Sequence, residues 1–186
     1  MQRKIGKKGF TLIELLVVIA IIGILAAVIV LVINPVEMMK KSRDSQRISD
    51  MGTIQTAINL ALTDGKSFTA FTENETYATA ATTTVYATTA TPATTGTAVQ
   101  SNTGTGWVPL DFSTVSSGAP ISALPLDPQN SVTSFYRFIH DGAGHYKIDC
   151  AFESTEYTTT QDKDGKDGGN NANRYEVGND LAVATG

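Results

Sequence analysis

A handful of positions in this chain could do chemistry. Gly9-Phe10 joins a basic leader (Arg3, Lys4, Lys7, Lys8) to a long apolar run, and Glu14 places one carboxylate in the front of that run. The Gly9-Phe10 bond is a candidate for proteolytic processing. No small-x-small signal site follows the apolar run, which continues instead as Asn34-Pro35-Val36-Glu37. A carboxylate such as Glu14 costs about 2.5–3.5 kcal/mol at the centre of a membrane helix, and less near the interface. It therefore calls for a positive partner or snorkels to the headgroups. Further along, Asp162, Asp164 and Asp167 lie on a glycine-rich turn whose oxygens could converge on a hard cation such as calcium. The third acid is one place off the D-x-D-x-D-G spacing and no bidentate glutamate follows, so a polar hydrated loop is the plainer reading. His140 and His145 flank a turn and could approach one another, but two histidines are thin support for a metal site.

The other templates of catalysis are missing. The sequence has no Gly-x-Ser-x-Gly, no phosphate-cradling glycine loop, no paired CxxC and no His-Glu-x-x-His. Its single cysteine, Cys150, excludes an intramolecular disulfide. On strand parity Cys150 reads as a core residue, neither nucleophile nor redox thiol. No enzyme activity, cofactor or metal is expected.

The elements that position these residues follow from periodicity. Leu15 to Ile33 is 19 residues without a charge, long enough to cross a bilayer at about 1.5 Å per residue. The leader's positive charges hold the N-terminus in the cytoplasm. Asn34-Pro35 should kink the helix, because proline removes a backbone donor and crowds the preceding turn. Beyond it, Ile48, Met51, Ile54, Ile58 and Leu62, with Ala57 and Ala61, form an amphipathic stripe that Asp64-Gly65 closes. A continuous helix from Phe10 to Thr63 would be roughly 80 Å long. The mixed charges Lys40, Lys41, Arg43, Asp44, Arg47 and Asp50 read as a solvated face with interfacial anchoring.

The domain plan is a leader over 1–9, a membrane helix over 10–33, its amphipathic continuation over 34–64 and a head over 65–186. Within the head, segment 69–106 is rich in threonine and alanine and reads as short strands or as an extended surface loop. Phe135 to His140 and His145 to Glu153 form a hairpin, the second strand half-buried by its alternation of Tyr146, Ile148, Cys150 and Phe152 with Lys147, Asp149 and Glu153. The chain's net charge is −4, and without the leader it has 10 basic against 18 acidic side chains, or −8. So acidic a chain has no general affinity for nucleic acids.

Residues 9 to 27, Gly-Phe-Thr-Leu-Ile-Glu-Leu-Leu-Val-Val-Ile-Ala-Ile-Ile-Gly-Ile-Leu-Ala-Ala, resemble the class III signal of type IV pilins and type II secretion pseudopilins. The resemblance is dense over about the first sixty residues. It implies an α+β pilin-like fold, with a long kinked N-terminal helix packed against a small antiparallel sheet. It also implies cleavage after Gly9 by a prepilin peptidase, methylation of Phe10, and assembly with copies of itself into a helical filament through Phe10 and Glu14. Glu14 falls at the fifth mature position, where the Phe10 amine of the same or a neighbouring subunit could supply its positive charge. The resemblance further implies an inner-membrane assembly platform, a bilayer-held single-pass precursor, and a final place in a cell-surface or periplasmic filament. Pilus and pseudopilus, the latter serving secretion or DNA uptake, both remain open. So does a membrane-anchored binding domain that never polymerises. In such proteins the region after the spine helix is often exposed and sometimes glycosylated, which points to the threonines of 69–106. Leu124-Pro125-Leu126-Asp127-Pro128 is similar to a Leu-Pro-x-Asp-Pro stretch of the pseudopilin branch. Many pilins close their C-terminal loop with a disulfide; this chain must hold its loop some other way.

Overall fold

The computed structural model describes residues 9–68, 76–78, 100–131 and 133–183. The leader charges Arg3, Lys4, Lys7 and Lys8, and the threonine clusters within 79–99, lie outside the described residues. The chain divides into two compact units, Met1–Met39 and Lys40–Gly186.

The first unit is built on helix α1, Leu12–Ile33. Thr11 caps it from extended backbone, which places Gly9 and Phe10 ahead of the helix in non-helical chain. Leu12–Ile29 is long and apolar enough to cross a membrane by length and composition, and none of it is buried within the chain. Asn34 then interrupts the helix, with φ 45° and ψ 76° in the left-handed region. Asparagine tolerates this backbone better than most residues. Helix α2, Pro35–Thr63, begins at the next residue. Pro35 thus occupies the first helical position, where its missing N–H costs nothing. The Asn34 carbonyl accepts from the N–H groups of Glu37 and Met38 at 3.1 and 3.2 Å. The expected kink in one continuous helix is therefore a break between two helices.

The second unit packs α2 from Lys40 onward against a sheet. Gly65, at φ 78°, ends the helix. Its N–H reaches the Leu62 carbonyl while Lys66 N–H reaches that of Ala61, each at 3.0 Å, a Schellman closure. The sheet is four-stranded and antiparallel in the order β1 (Thr76–Ala78), β2 (Arg137–His140), β3 (Tyr146–Cys150), β4 (Tyr175–Gly178). This is the α+β architecture expected from the sequence. Met51, Ile54, Ala57, Ile58 and Ala61 from α2 share one core with Phe138, Tyr146, Ile148 and Cys150 from the sheet. Trp107, Leu110, Phe112 and Leu124 from the connecting loops complete it.

Strand β3 departs from the half-buried reading, since all five of its residues are buried. Its outward-facing Lys147 and Asp149 lie under the C-terminal segment, which supplies them with charged partners. Gly178 shows how close that approach is. A Cβ there would collide with the Tyr146 carbonyl oxygen and come within 2.8 Å of Lys147 Cα. Main chain cannot step aside as a side chain can, so Gly178→Ala is expected to cost about 1–3 kcal/mol through overpacking. Urea unfolding reads this as a lower midpoint; an unmoved midpoint would contradict the β3–β4 pairing.

Candidate functional site

At the N-terminal site the backbone decides what is reachable. Gly9 and Phe10 are exposed, with Phe10 at 80 % of its full accessibility. The bond between them lies outside any helix, where a protease can reach it. Glu14 reaches back to its own helix terminus: Thr11 N–H donates to Oε2 at 2.9 Å and the Thr11 hydroxyl donates to the same atom at 2.7 Å. In return Glu14 N–H donates to Thr11 Oγ1 at 3.3 Å. This is a capping box, in which two orphan N–H groups at the helix start are satisfied reciprocally. The Thr-x-x-Glu spacing that announces it is legible in the sequence. The carboxylate thus has partners within its own chain, besides any amine that a cut at Gly9 would create.

A second cluster joins α2 to the head, and here the sequence reading needs correcting. Asp44 and Arg47 are fully buried, not part of a solvated face. The Arg47 guanidinium grips Asp127 with two bonds, Nε–Oδ2 at 2.6 Å and Nη2–Oδ1 at 2.9 Å. It also meets Asp44 at 2.7 Å and Glu153 at 2.6 Å. Arg43 holds the same Glu153 through Nε and Nη2 at 3.1 and 2.6 Å. Asp44 in turn accepts from the N–H groups of Glu153 and Ser154, the nearest at 2.8 Å. The Leu124-Pro125-Leu126-Asp127-Pro128 turn is therefore more than a proline-set bend. Its Asp127 is the counter-ion of a helix arginine, and its Pro125 carbonyl accepts from Trp107 Nε1 at 3.0 Å.

Protonation follows from this geometry. Glu153 lies below the usual glutamate range because Arg43, and then Arg47, donate to it against the opposing effect of burial. A carboxylate depressed in the folded state stabilises the fold above its ordinary value near about 4.3, and that contribution vanishes as pH falls through the depressed value. Asp50, Asp164 and Asp167 are pushed up, chiefly by burial. Their contribution runs the other way, present in acid and lost as pH rises. Glu153→Gln is accordingly expected to make stability fall less steeply below about pH 4.3, as read by melting points over an acid series. An equally steep acid limb would contradict this role for Glu153.

The C-terminal loop is held by a third set of charges. Arg137 makes a two-bond pair with Asp149 at 2.8 Å on each arm. Arg174 joins them at Asp149 Oδ1 and donates to the Phe135 carbonyl at 2.9 Å. Burial works to raise the Asp149 carboxyl, and Arg174 and Arg137 outweigh it, leaving it low. Lys147 and Glu176 pair at 2.7 Å beside them.

The remaining candidates disperse. His140 is buried against the Phe68 ring at 4.9 Å, whereas His145 is exposed and bound to Asp141 at 2.6 Å. Cys150 is buried and its thiol is pushed up by that burial, which suits packing and not reaction. Asp162 pairs with Lys166 at 3.3 Å. Asp167 accepts from Gly169 and Glu176 N–H at 2.7 and 2.6 Å. Asp164 is turned inward and buried. Among the described residues no group of three or more His, Cys, Asp or Glu side chains could hold a metal ion.

The chain thus carries an exposed apolar helix long enough to cross a membrane and, in its second unit, an α+β head. Residues 5–30 match the family described as the prokaryotic N-terminal methylation motif. The chain is 47% identical over 60 residues to the type IV major fimbrial protein FimA of Dichelobacter nodosus, covering 32% of this chain and 37% of that protein. Against fimbrial protein Q of Moraxella bovis it is 43% identical over 62 residues, 33% and 38% of the two chains. Against the type IV major alpha-pilin of the same organism it is 42% identical over 62 residues, again 33% and 38%. The N-terminal third is thus similar to those of these fimbrial proteins, and the chain spans a little over a third of the length of the relatives it matches. No solved structure matches the chain.

Proposed function

We propose that this chain is a structural subunit of a type IV pilus-like filament. One observation carries the reading: α1 leaves every described large apolar side chain exposed, from Leu12 at 81 % to Ile29 at 53 %. That much greasy surface has to be covered by lipid in the precursor and by neighbouring copies after assembly. The precursor spans the inner membrane once with its leader in the cytoplasm. A prepilin peptidase cuts after Gly9, Phe10 becomes the methylated N-terminus, and an inner-membrane platform passes the subunit into the filament. Glu14 guides that step by pairing with a Phe10 amine, and the Asn34-Pro35 break separates the filament-core helix from the head-bearing helix. The second reading, a pseudopilin of a secretion or DNA-uptake system, is favoured by the Leu124–Pro128 turn.

Intact mass and N-terminal sequence, measured on a sheared cell-surface fraction and on membranes, test both. Abundant sheared protein beginning at methylated Phe10 supports the pilus subunit. Protein cut at Phe10 but confined to membranes favours the pseudopilin, and a chain beginning at Met1 everywhere defeats both.

A further inference from the structure

Lys147 lies on the outer face of β3 with its side chain 3 % exposed, an unusual place for an ammonium group. Its Nζ is 2.7 Å from Glu176 Oε1, 2.8 Å from Asn170 Oδ1 and 3.5 Å from the Leu181 carbonyl. Glu176, on β4, is itself 1 % exposed, and its other oxygen accepts from Asn171 N–H at 2.9 Å. The loop presses tightly onto this carboxylate. Gly169 runs so close that a Cβ there would collide with Glu176 Oε2. Asp167 fixes the same stretch through Gly169 and Glu176 N–H. One primary amine thereby hydrogen-bonds a carboxamide and a carboxylate at once. That is the arrangement in which proximity replaces an external catalyst.

We propose that Lys147, Asn170 and Glu176 form a self-modifying triad, in which Lys147 Nζ condenses with the Asn170 carboxamide to cross-link β3 to the C-terminal loop. Glu176 accepts one proton from the ammonium and frees the nitrogen lone pair, the role of a general base touching the reacting atom. Nζ then bonds to Asn170 Cγ. A second proton passes from Nζ to Nδ2, the Cγ–Nδ2 bond breaks, and ammonia leaves. The products are one secondary amide, one protonated Glu176 and one ammonia, with atoms and charge balanced and no oxidant or cofactor needed. A buried ion pair becomes two neutral groups, which removes the cost of keeping charge out of water. Asn170 lies at the exposed edge of the site, giving ammonia a way out. The bond would do for this loop what a disulfide cannot do in a chain with one cysteine.

The test is a peptide map of the full-length protein extracted from membranes. The expected result is one branched peptide joining Lys147 to Asn170, lighter than its two parts by one ammonia. Separate linear peptides of encoded mass, from protein whose Trp107 fluorescence is native, overturn the proposal. Asn170→Ala, at an exposed position, is expected to give only linear peptides. Glu176→Gln is expected to do the same, and a branched Glu176→Gln protein would overturn the base role. Leader removal and methylation act at the other end of the chain, so this map reads the cross-link whatever the fate of Phe10.

Discussion

Arg47→Ala is expected to cost the head about 3–5 kcal/mol, since it leaves Asp44, Asp127 and Glu153 buried or half-buried without their shared cation. Against a total stability of about 5–15 kcal/mol for a typical domain, that is a large fraction. The cost comes chiefly from Asp44 and Asp127, buried carboxylates that keep N–H donors but lose the arginine, whereas Glu153 keeps Arg43. The effect should spread along both connections the arginine makes. One runs to Asp127 and the turn that Trp107 leans on, the other to Glu153 and the exit from β3. Trp107 is the chain's single tryptophan and is fully buried, so its fluorescence reports the event directly. Urea unfolding of the full chain in detergent supplies the number. A loss under about 1 kcal/mol, the size of an exposed ion pair, would mean the cluster does not anchor the head to α2. Arg47→Ala combined with Asp127→Ala should recover part of the loss, because one of the stranded charges is then gone.

The second large effect concerns assembly. Glu14→Ala is expected to abolish filaments while leaving the head folded and the precursor more readily inserted in the membrane. Removing the carboxylate relieves an insertion cost of up to about 2.5–3.5 kcal/mol, depending on depth. It also removes half of the capping box, so the first turn of α1 loses up to about 0.5–2 kcal/mol. Glu14→Gln separates the two roles. Glutamine can still accept from Thr11 N–H, as capping boxes allow, but it cannot pair with an amine as a charge. If Gln restores filaments, the cap is what assembly needs; if Gln fails like Ala, the charge is. Normal filaments from Glu14→Ala would remove Glu14 from the account of assembly.

Much of this was legible in advance, and what was missed has physical causes. The stripe Met51, Ile54, Ile58 pointed to the buried face of α2 because apolar spacing of three and four admits few other readings. The same spacing runs back through Arg47 and Asp44, and it placed them on that face too. Their charges argued for solvent because acids and bases are rarely buried unpaired, and their partners, Asp127 and Glu153, are far away in sequence. Lys147 and Asp149 were misread as solvent-facing for a related reason. Alternation along one strand shows which side a residue faces, but not whether a later segment covers that side. Gly9, Phe10 and Glu14, proposed for processing and assembly, stood out because a short linear motif needs no tertiary contact to be seen.

The C-terminal segment is closed by guanidinium, ammonium and carboxylate groups where a sulfur bridge is a common alternative. Its integrity is therefore indifferent to the redox state around it. No oxidase has to act before the loop is shut, and no thiol reductant can open it afterwards. Screening by salt has little grip either, since the Arg137–Asp149 and Lys147–Glu176 pairs are nearly sealed from solvent. A head built this way can close in oxidising and reducing surroundings alike, on the strength of its own side chains.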